Sequence, residues 1–259
     1  MTRFIAISSA KGGVGKTTTA INLGTALSNF GKDVVVLDAN ITKPNINILL
    51  GTPNLSHTIH DVLKGKIHIT DAAYIHPSGL RIIPGDISLQ VLREIEGWHQ
   101  HDFKNILIDL VGTTDVVILD TGGGLGTESL SVIKAADELI AVTNPDMPSI
   151  TDTLKTIRVA EDAGVNVLGV IVNRRSGSPA EVIDRNIEAI LEKKILGTIK
   201  EDESVGKAVF ARQPLVYLYP DSTASIGFKG IAAKLMGQEY VPSISAEKKD
   251  FLDKMYERF

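Results

Sequence analysis

The chain contains no cysteine among its 259 residues. That excludes disulfides, thiolate zinc sites and iron–sulfur clusters, each of which needs the cysteine sulfur as a ligand or partner. A net charge of −4 leaves no whole-chain attraction to nucleic acid, although a local basic patch fits inside that balance. Long apolar runs are lacking too: nothing approaches the roughly 20 residues of a membrane span. The opening MTRFIAISSA is too short in its apolar part to act as a secretory signal. These absences lead to the expectation of a cytoplasmic protein. There is no internal repeat and no low-complexity linker. At 43% hydrophobic residues the chain has enough apolar material for one large core.

What is present is an alternation. Short β-branched runs at 3–8, 33–38, 80–85, 115–120, 138–143, 165–173 and 194–199 are apolar almost throughout, as strands buried on both faces of a parallel sheet are. Helical patterns lie between them, at 17–31 with Gly31 as its stop and at 179–194 with Pro179 at its start and lysines at its end. Strand and helix in repeated alternation predict an α/β, doubly wound, mostly parallel sheet flanked by helices. Composition changes near Gln238, so residues 1–237 read as the folded domain and 238–259 as a tail.

The segment AKGGVGKT, residues 10–17, follows the first predicted strand and opens the first helix. It fits the phosphate-loop pattern except that Ala10 stands where glycine is usual. In such a loop the backbone N–H groups of Gly12, Gly13, Val14 and Gly15 converge on phosphate oxygens. Lys16 reaches the β and γ phosphates, Thr17 offers a hydroxyl to magnesium and Thr18 continues the cradle. Asp38 and Asp120 each end an apolar strand, the second and the fourth in this reading. Strand ends of this kind face the crevice of an open sheet, so both aspartates are candidate magnesium ligands, directly or through water.

Lys11 lies outside the usual loop pattern. A lysine there does not easily fold back onto its own phosphates when Lys16 already holds that position. With Lys11, the run KGGVGKTT resembles the deviant phosphate-loop ATPases of the MinD/ParA superfamily, and the resemblance extends over about residues 3–237. It implies a P-loop fold like that of the nitrogenase iron protein, ATP or ADP with Mg2+ as ligands, and an ATP-dependent homodimer in which Lys11 reaches the partner's nucleotide. Without cysteines, the metal-cluster branches of that superfamily drop out, and the segments at 38–51, 58–67 and 79–89 follow the MinD-like pattern. The resemblance also assigns Gly123, in the run DTGGG, to close approach of the γ-phosphate. Asn173 and Arg174 fall at the adenine, with the loop 199–205 beside them, and Asp146 at the dimer partner's nucleotide site. Asp152 falls on a helix used for partner contact. For both acids a solvated surface role fits the residues about as well.

One departure concerns the chemistry. MinD-like proteins carry a second aspartate in the first switch, where this chain has Asn40. An amide oxygen can hold a water but cannot take its proton, so the expected ATPase is slow, by about 10- to 1000-fold on the scale of a general base.

In the tail, Phe251, Leu252, Met255, Tyr256 and Phe259 would form one apolar stripe on a helix. The segment resembles a membrane-targeting helix. However, residues 247–258 hold four basic and four acidic side chains, which cancel. Reversible contact with the inner face of the cell membrane, packing on the body or on a partner, and a frayed end all fit the stripe. Two functions follow. One is a MinD-like positioning switch with a regulatory protein partner, and the other is a ParA-like partition ATPase whose ATP dimer binds DNA nonspecifically. Overall acidity and the tail favour the first. The six histidines suggest no ligand pair, and His99 and His101 read as surface residues.

Overall fold

The computed structural model describes residues 1–52, 55–88 and 103–242. Its eight strands are β1 (Arg3–Ser8), β2 (Val34–Asp38), β3 (Tyr74–Ile75), β4 (Arg81–Ile83), β5 (Val116–Asp120), β6 (Glu138–Thr143), β7 (Asn166–Arg175) and β8 (Ile195–Lys200). They form one sheet in the order β3-β4-β2-β5-β1-β6-β7-β8, parallel throughout except for the antiparallel β3. The helices with described residues are α1 (Lys16–Asn29), α2 (Ile46–Leu49), α3 (Ile59–Leu63), α4 (Phe103–Leu107), α5 (Thr127–Ala135) and α6 (Met147–Asp162), followed by α7 (Asp184–Leu191), α8 (Glu203–Phe210), α9 (Leu215–Leu218) and α10 (Thr223–Leu235).

Alternation of side chains along each strand divides the core in two. Phe4 and Ala6 of β1 face a cluster completed by Leu107, Ile133, Ile157 and Leu191 from α4, α5, α6 and α7. Ile5 and Ile7 face the opposite cluster, with Leu23 and Leu27 of α1 and Phe228 and Ile231 of α10. Both faces of the sheet are therefore covered, which is why the strands read as unbroken apolar runs. The strand order reverses at β1, and such a reversal opens a crevice at the carboxyl ends of the strands.

Two expectations need correction. The predicted helix at 179–194 shrinks to α7, because Glu181 turns back on the preceding loop. Its carboxylate accepts the N–H of Ser176 and of Gly177 and the Ser176 hydroxyl, so Pro179 sits in a turn. At the other end Glu192 takes a left-handed conformation (φ 53°), which stops the helix before the two lysines. Asp120 ends the fifth strand and not the fourth, because the two-residue β3 is too short to leave a pattern. The tail stripe Phe251, Leu252, Met255, Tyr256 and Phe259, like His99 and His101, lies outside the described residues. No described helix is long and apolar enough to cross a membrane.

Candidate nucleotide site

The loop between β1 and α1 forms the floor of the crevice. Gly13 (φ 76°) and Gly15 (φ 98°) take left-handed backbone conformations that disfavour any residue with a Cβ. At Gly15 a Cβ would also stand 2.3 Å from Asn173 Nδ2. Asn173 leans on this loop from the end of β7 and donates to the Val14 carbonyl at 2.8 Å. The Val14 side chain is itself fully buried, so only its backbone serves the loop. Lys16 Nζ donates to the Lys11 carbonyl at 3.1 Å, curling over the loop. Burial pushes its pKa down, while the nearby Asp120 charge raises it.

A cavity of about 440 Å³ opens above the loop, lined among others by Gly12, Gly13, Gly15, Lys16, Thr17, Thr18, Asn40, Thr121, Gly123 and Arg174. A second cavity, about 290 Å³, continues from Gly15 and Thr18 to Asn173, Arg174, Lys200, Asp202 and Phe228. Residues far apart in sequence thus meet along one elongated space, the two cavities sharing Gly15, Thr18 and Arg174. Arg174 borders both cavities and holds a left-handed backbone (φ 56°), rare for a residue with a side chain.

The two strand-end aspartates stand abreast, Asp38 opposite Asp120 in the parallel register of β2 and β5. Both are fully buried. Asp38 is not orphaned: one oxygen accepts the Asn40 N–H at 3.3 Å, and the other the Asn45 and Ile46 N–H groups at 2.8 and 2.9 Å. Burial, then the Asp120 charge, still pushes its pKa well up against those three bonds. Neither Asp120 oxygen has a hydrogen-bond partner. Burial raises the Asp120 pKa to about 7, and the Thr17 hydroxyl and Lys16 ammonium nearby pull against that rise. Two abreast carboxylates, one of them with both oxygens buried and unpartnered, beside a threonine hydroxyl, are a donor set suited to a hard divalent cation. The residues present therefore fit Mg2+.

After β5 the chain passes close to the phosphate loop. The Gly124 N–H donates to the Ala10 carbonyl at 2.8 Å, and a Cβ on Gly123 would stand 3.3 Å from Gly12 Cα. Opposite, the Asn40 Nδ2 group donates to the Lys43 carbonyl at 2.6 Å. Its Oδ1 faces Gly122, where a Cβ would approach to 2.9 Å. Lys43 lines the phosphate end of the cavity and was not among the residues singled out from sequence. Its signal was only its place three residues after Asn40.

Lys11 does not line the phosphate cavity. Its ammonium binds Asp146 at 3.1 Å and the Ser149 hydroxyl at 2.7 Å, within the same chain. Asp146 caps α6 through the Ser149 N–H at 2.9 Å. Although burial works against it, the Ser149 groups and the Lys11 ammonium hold the Asp146 carboxyl below its usual range. Asp152, further along α6, pairs with Lys155 at 3.0 Å on the exposed face. His60 is buried in a structural role. It accepts the Asp86 N–H at Nδ1, so Nε2 carries the proton given to the Ile41 carbonyl.

A phosphate loop after the first strand, acidic strand ends beside it and a reversal in strand order define the class: a P-loop nucleotide-binding protein. Residues 5–215 match the CobQ/CobB/MinD/ParA nucleotide binding domain, and the chain belongs to that family as a MinD/ParA-type ATPase. It is 41% identical to an uncharacterised ATP-binding protein of Methanocaldococcus jannaschii over 250 residues, 96% of this chain and 94% of that one. It is 33% identical to the antiactivator FleN of Pseudomonas aeruginosa over 243 residues, 89% and 85% of the two chains. Among solved structures, the septum site-determining protein MinD of Pyrococcus horikoshii, complexed with Mg-ADP, superposes with a TM-score of 0.85 at 30% identity. That match covers 91% of this chain and 96% of the other.

Proposed function

We propose that the chain is an ATP-switched positioning protein that dimerises around nucleotide and hydrolyses it slowly. The observation that carries this reading is Lys11. The loop has its own candidate phosphate lysine in Lys16, while Lys11 turns away from that cavity to Asp146 and Ser149 and is left, in this reading, for the nucleotide of a second copy.

In this reading the N–H groups of Gly12, Gly13, Val14 and Gly15 cradle the phosphates, and Lys16 holds the β and γ oxygens. Thr17, Asp120 and Asp38 hold magnesium, which supplies charge neutralisation on those oxygens. Thr18, Asn173 and Arg174 line the way to the base. Gly123 lets the backbone close on the γ-phosphate, and Asn40 orients the attacking water through Oδ1. An amide takes no proton, so the water must lose it elsewhere and turnover is slow. Asp146 releases Lys11 when the dimer forms and then faces the partner's site. FleN is an antiactivator and the Pyrococcus protein a septum site-determining one, so in this reading a protein partner sets which process the switch serves.

Light scattering with size exclusion tests the switch. With Mg-ATP the chain runs as a dimer and with Mg-ADP as a monomer; a monomer in both states overturns the reading. Co-sedimentation with anionic vesicles tests the tail. The ATP dimer pellets, and a chain ending at Val241 dimerises without pelleting. An ATP dimer that ignores lipid but binds DNA in a salt-dependent way replaces this reading with a partition ATPase.

A further inference from the structure

The first switch loop, residues 39–45, is held from three directions. Asp38 accepts three of its N–H groups or those just after it, and His60 donates to the Ile41 carbonyl. The third hold comes from across the site. Glu128, in the first turn of α5, accepts the Thr42 N–H at 3.1 Å with one carboxylate oxygen and the Thr42 hydroxyl at 2.8 Å with the other. The two residues are 86 apart in sequence. They join the loop bearing Asn40 to the helix that follows Gly122, Gly123 and Gly124.

We propose that Glu128 is a positioning residue for hydrolysis: its carboxylate keeps Thr42, and with it the Asn40 side chain, in register with the glycine run that meets the γ-phosphate. The geometry supports this in two ways. Both oxygens of one carboxylate are used on one residue, which fixes orientation as well as distance, and charge-assisted bonds of this kind are the stronger ones. The Asn40 amide is already committed to the Lys43 carbonyl, so its Oδ1 can point only where the loop points it, which is toward Gly122. A shift of α5 on nucleotide binding therefore moves Asn40 with it. Glycine at 122 is part of the same fit, since a Cβ there would meet Asn40 Oδ1.

The proposal rests on the hydrolytic reading above, and the test separates the two. Steady-state ATP turnover is measured for Glu128→Ala, Thr42→Ala, Thr42→Ser and the double alanine variant, with hydrogen exchange followed at residues 39–45. Glu128→Ala, which removes both bonds, lowers kcat about tenfold, and Thr42→Ala, which keeps the backbone N–H bond to Glu128, lowers it by less, each with KM for ATP within about twofold. Thr42→Ser keeps the hydroxyl and stays within about twofold of the parent. The double variant is no slower than Glu128→Ala alone, because the Thr42 hydroxyl acts through Glu128. Exchange at 39–45 accelerates in Glu128→Ala. An unchanged kcat, a rise in KM that accounts for the whole loss, or additive single effects overturns the proposal. Should the parent chain show no turnover at all, the hydrolytic reading fails by itself. Exchange then decides the link: protection that depends on Glu128 supports it, and protection that does not overturns it.

Discussion

Replacing Asn40 by aspartate tests the chemistry and the loop at once. On the hydrolytic reading proposed above, the substitution adds a proton acceptor where Asn40 would orient the attacking water, a contribution worth about 10²- to 10⁴-fold in rate. It also removes a donor. Asn40 Nδ2 gives a bond of 2.6 Å to the Lys43 carbonyl, and a carboxylate there would face a carbonyl oxygen. The bond is solvent-exposed, so losing it costs about 0.5–1.5 kcal/mol locally. The loop keeps three N–H bonds to Asp38, two bonds to Glu128 and one from His60, so it is loosened and not released. At about 1.4 kcal/mol per decade the loss takes back about one decade at most. The expected net result is a rise in kcat of about 10- to 100-fold, with ATP affinity little changed and faster exchange at residues 39–45. Phosphate release under saturating Mg-ATP reads the rate. Unchanged turnover with the loop still protected would refute the idea that a missing proton acceptor limits the reaction. A fall in turnover with the loop exposed would refute the ordering of the two energies.

Other outcomes follow from single contacts. Gly15→Ala places a methyl 2.3 Å from Asn173 Nδ2 on a backbone of φ 98°, so nucleotide affinity by calorimetry should fall by at least about tenfold. Asp146→Ala removes the α6 cap, which costs about 1 kcal/mol and lowers Tm by roughly 2–4 °C at this chain length. Burial raises the Asp120 carboxyl from 3.8 to about 7, so the folded chain keeps a proton that the unfolded chain releases. The stability tied to that proton is complete below about pH 4 and is lost as pH rises through 7. Metal-free Asp120→Asn should therefore melt above the parent at pH 8, and Mg2+ should no longer raise its Tm. Equal melting temperatures there would argue against the orphaned carboxylate.

Much of this was legible before the fold was known, for reasons specific to each element. The seven longer strands announced themselves because burial on both faces demands apolar, β-branched runs, and the phosphate loop because its glycines have few substitutes. The two-residue β3 carries too few side chains to leave a pattern. The helix at 179–194 looked longer than it is because Glu181 spends its carboxylate on the loop, a choice that periodicity cannot show. At the candidate site, the loop was legible from its glycine and lysine pattern after a strand, and the two aspartates from their places at the ends of apolar runs, which the fold sets abreast. The hold of Asp146 on Lys11, the hold of Glu128 on Thr42 and the presence of Lys43 in the cavity depend on contacts between distant segments, which no local pattern encodes.

During synthesis, the central place of β1 sets the order of events. Among the described residues β1 pairs only with β5 and β6, so it has no neighbour until residues 116–120 emerge. At ordinary elongation rates that wait is on the order of ten seconds. Meanwhile β2 can pair with β4, leaving the N-terminal segment and its glycine loop as an unpaired apolar strand. Its side chains Ile5 and Ile7, fully buried at the end, are exposed throughout that interval. Nucleotide cannot stabilise the nascent chain early, because the glycine loop has no sheet to stand on until β5 has been made.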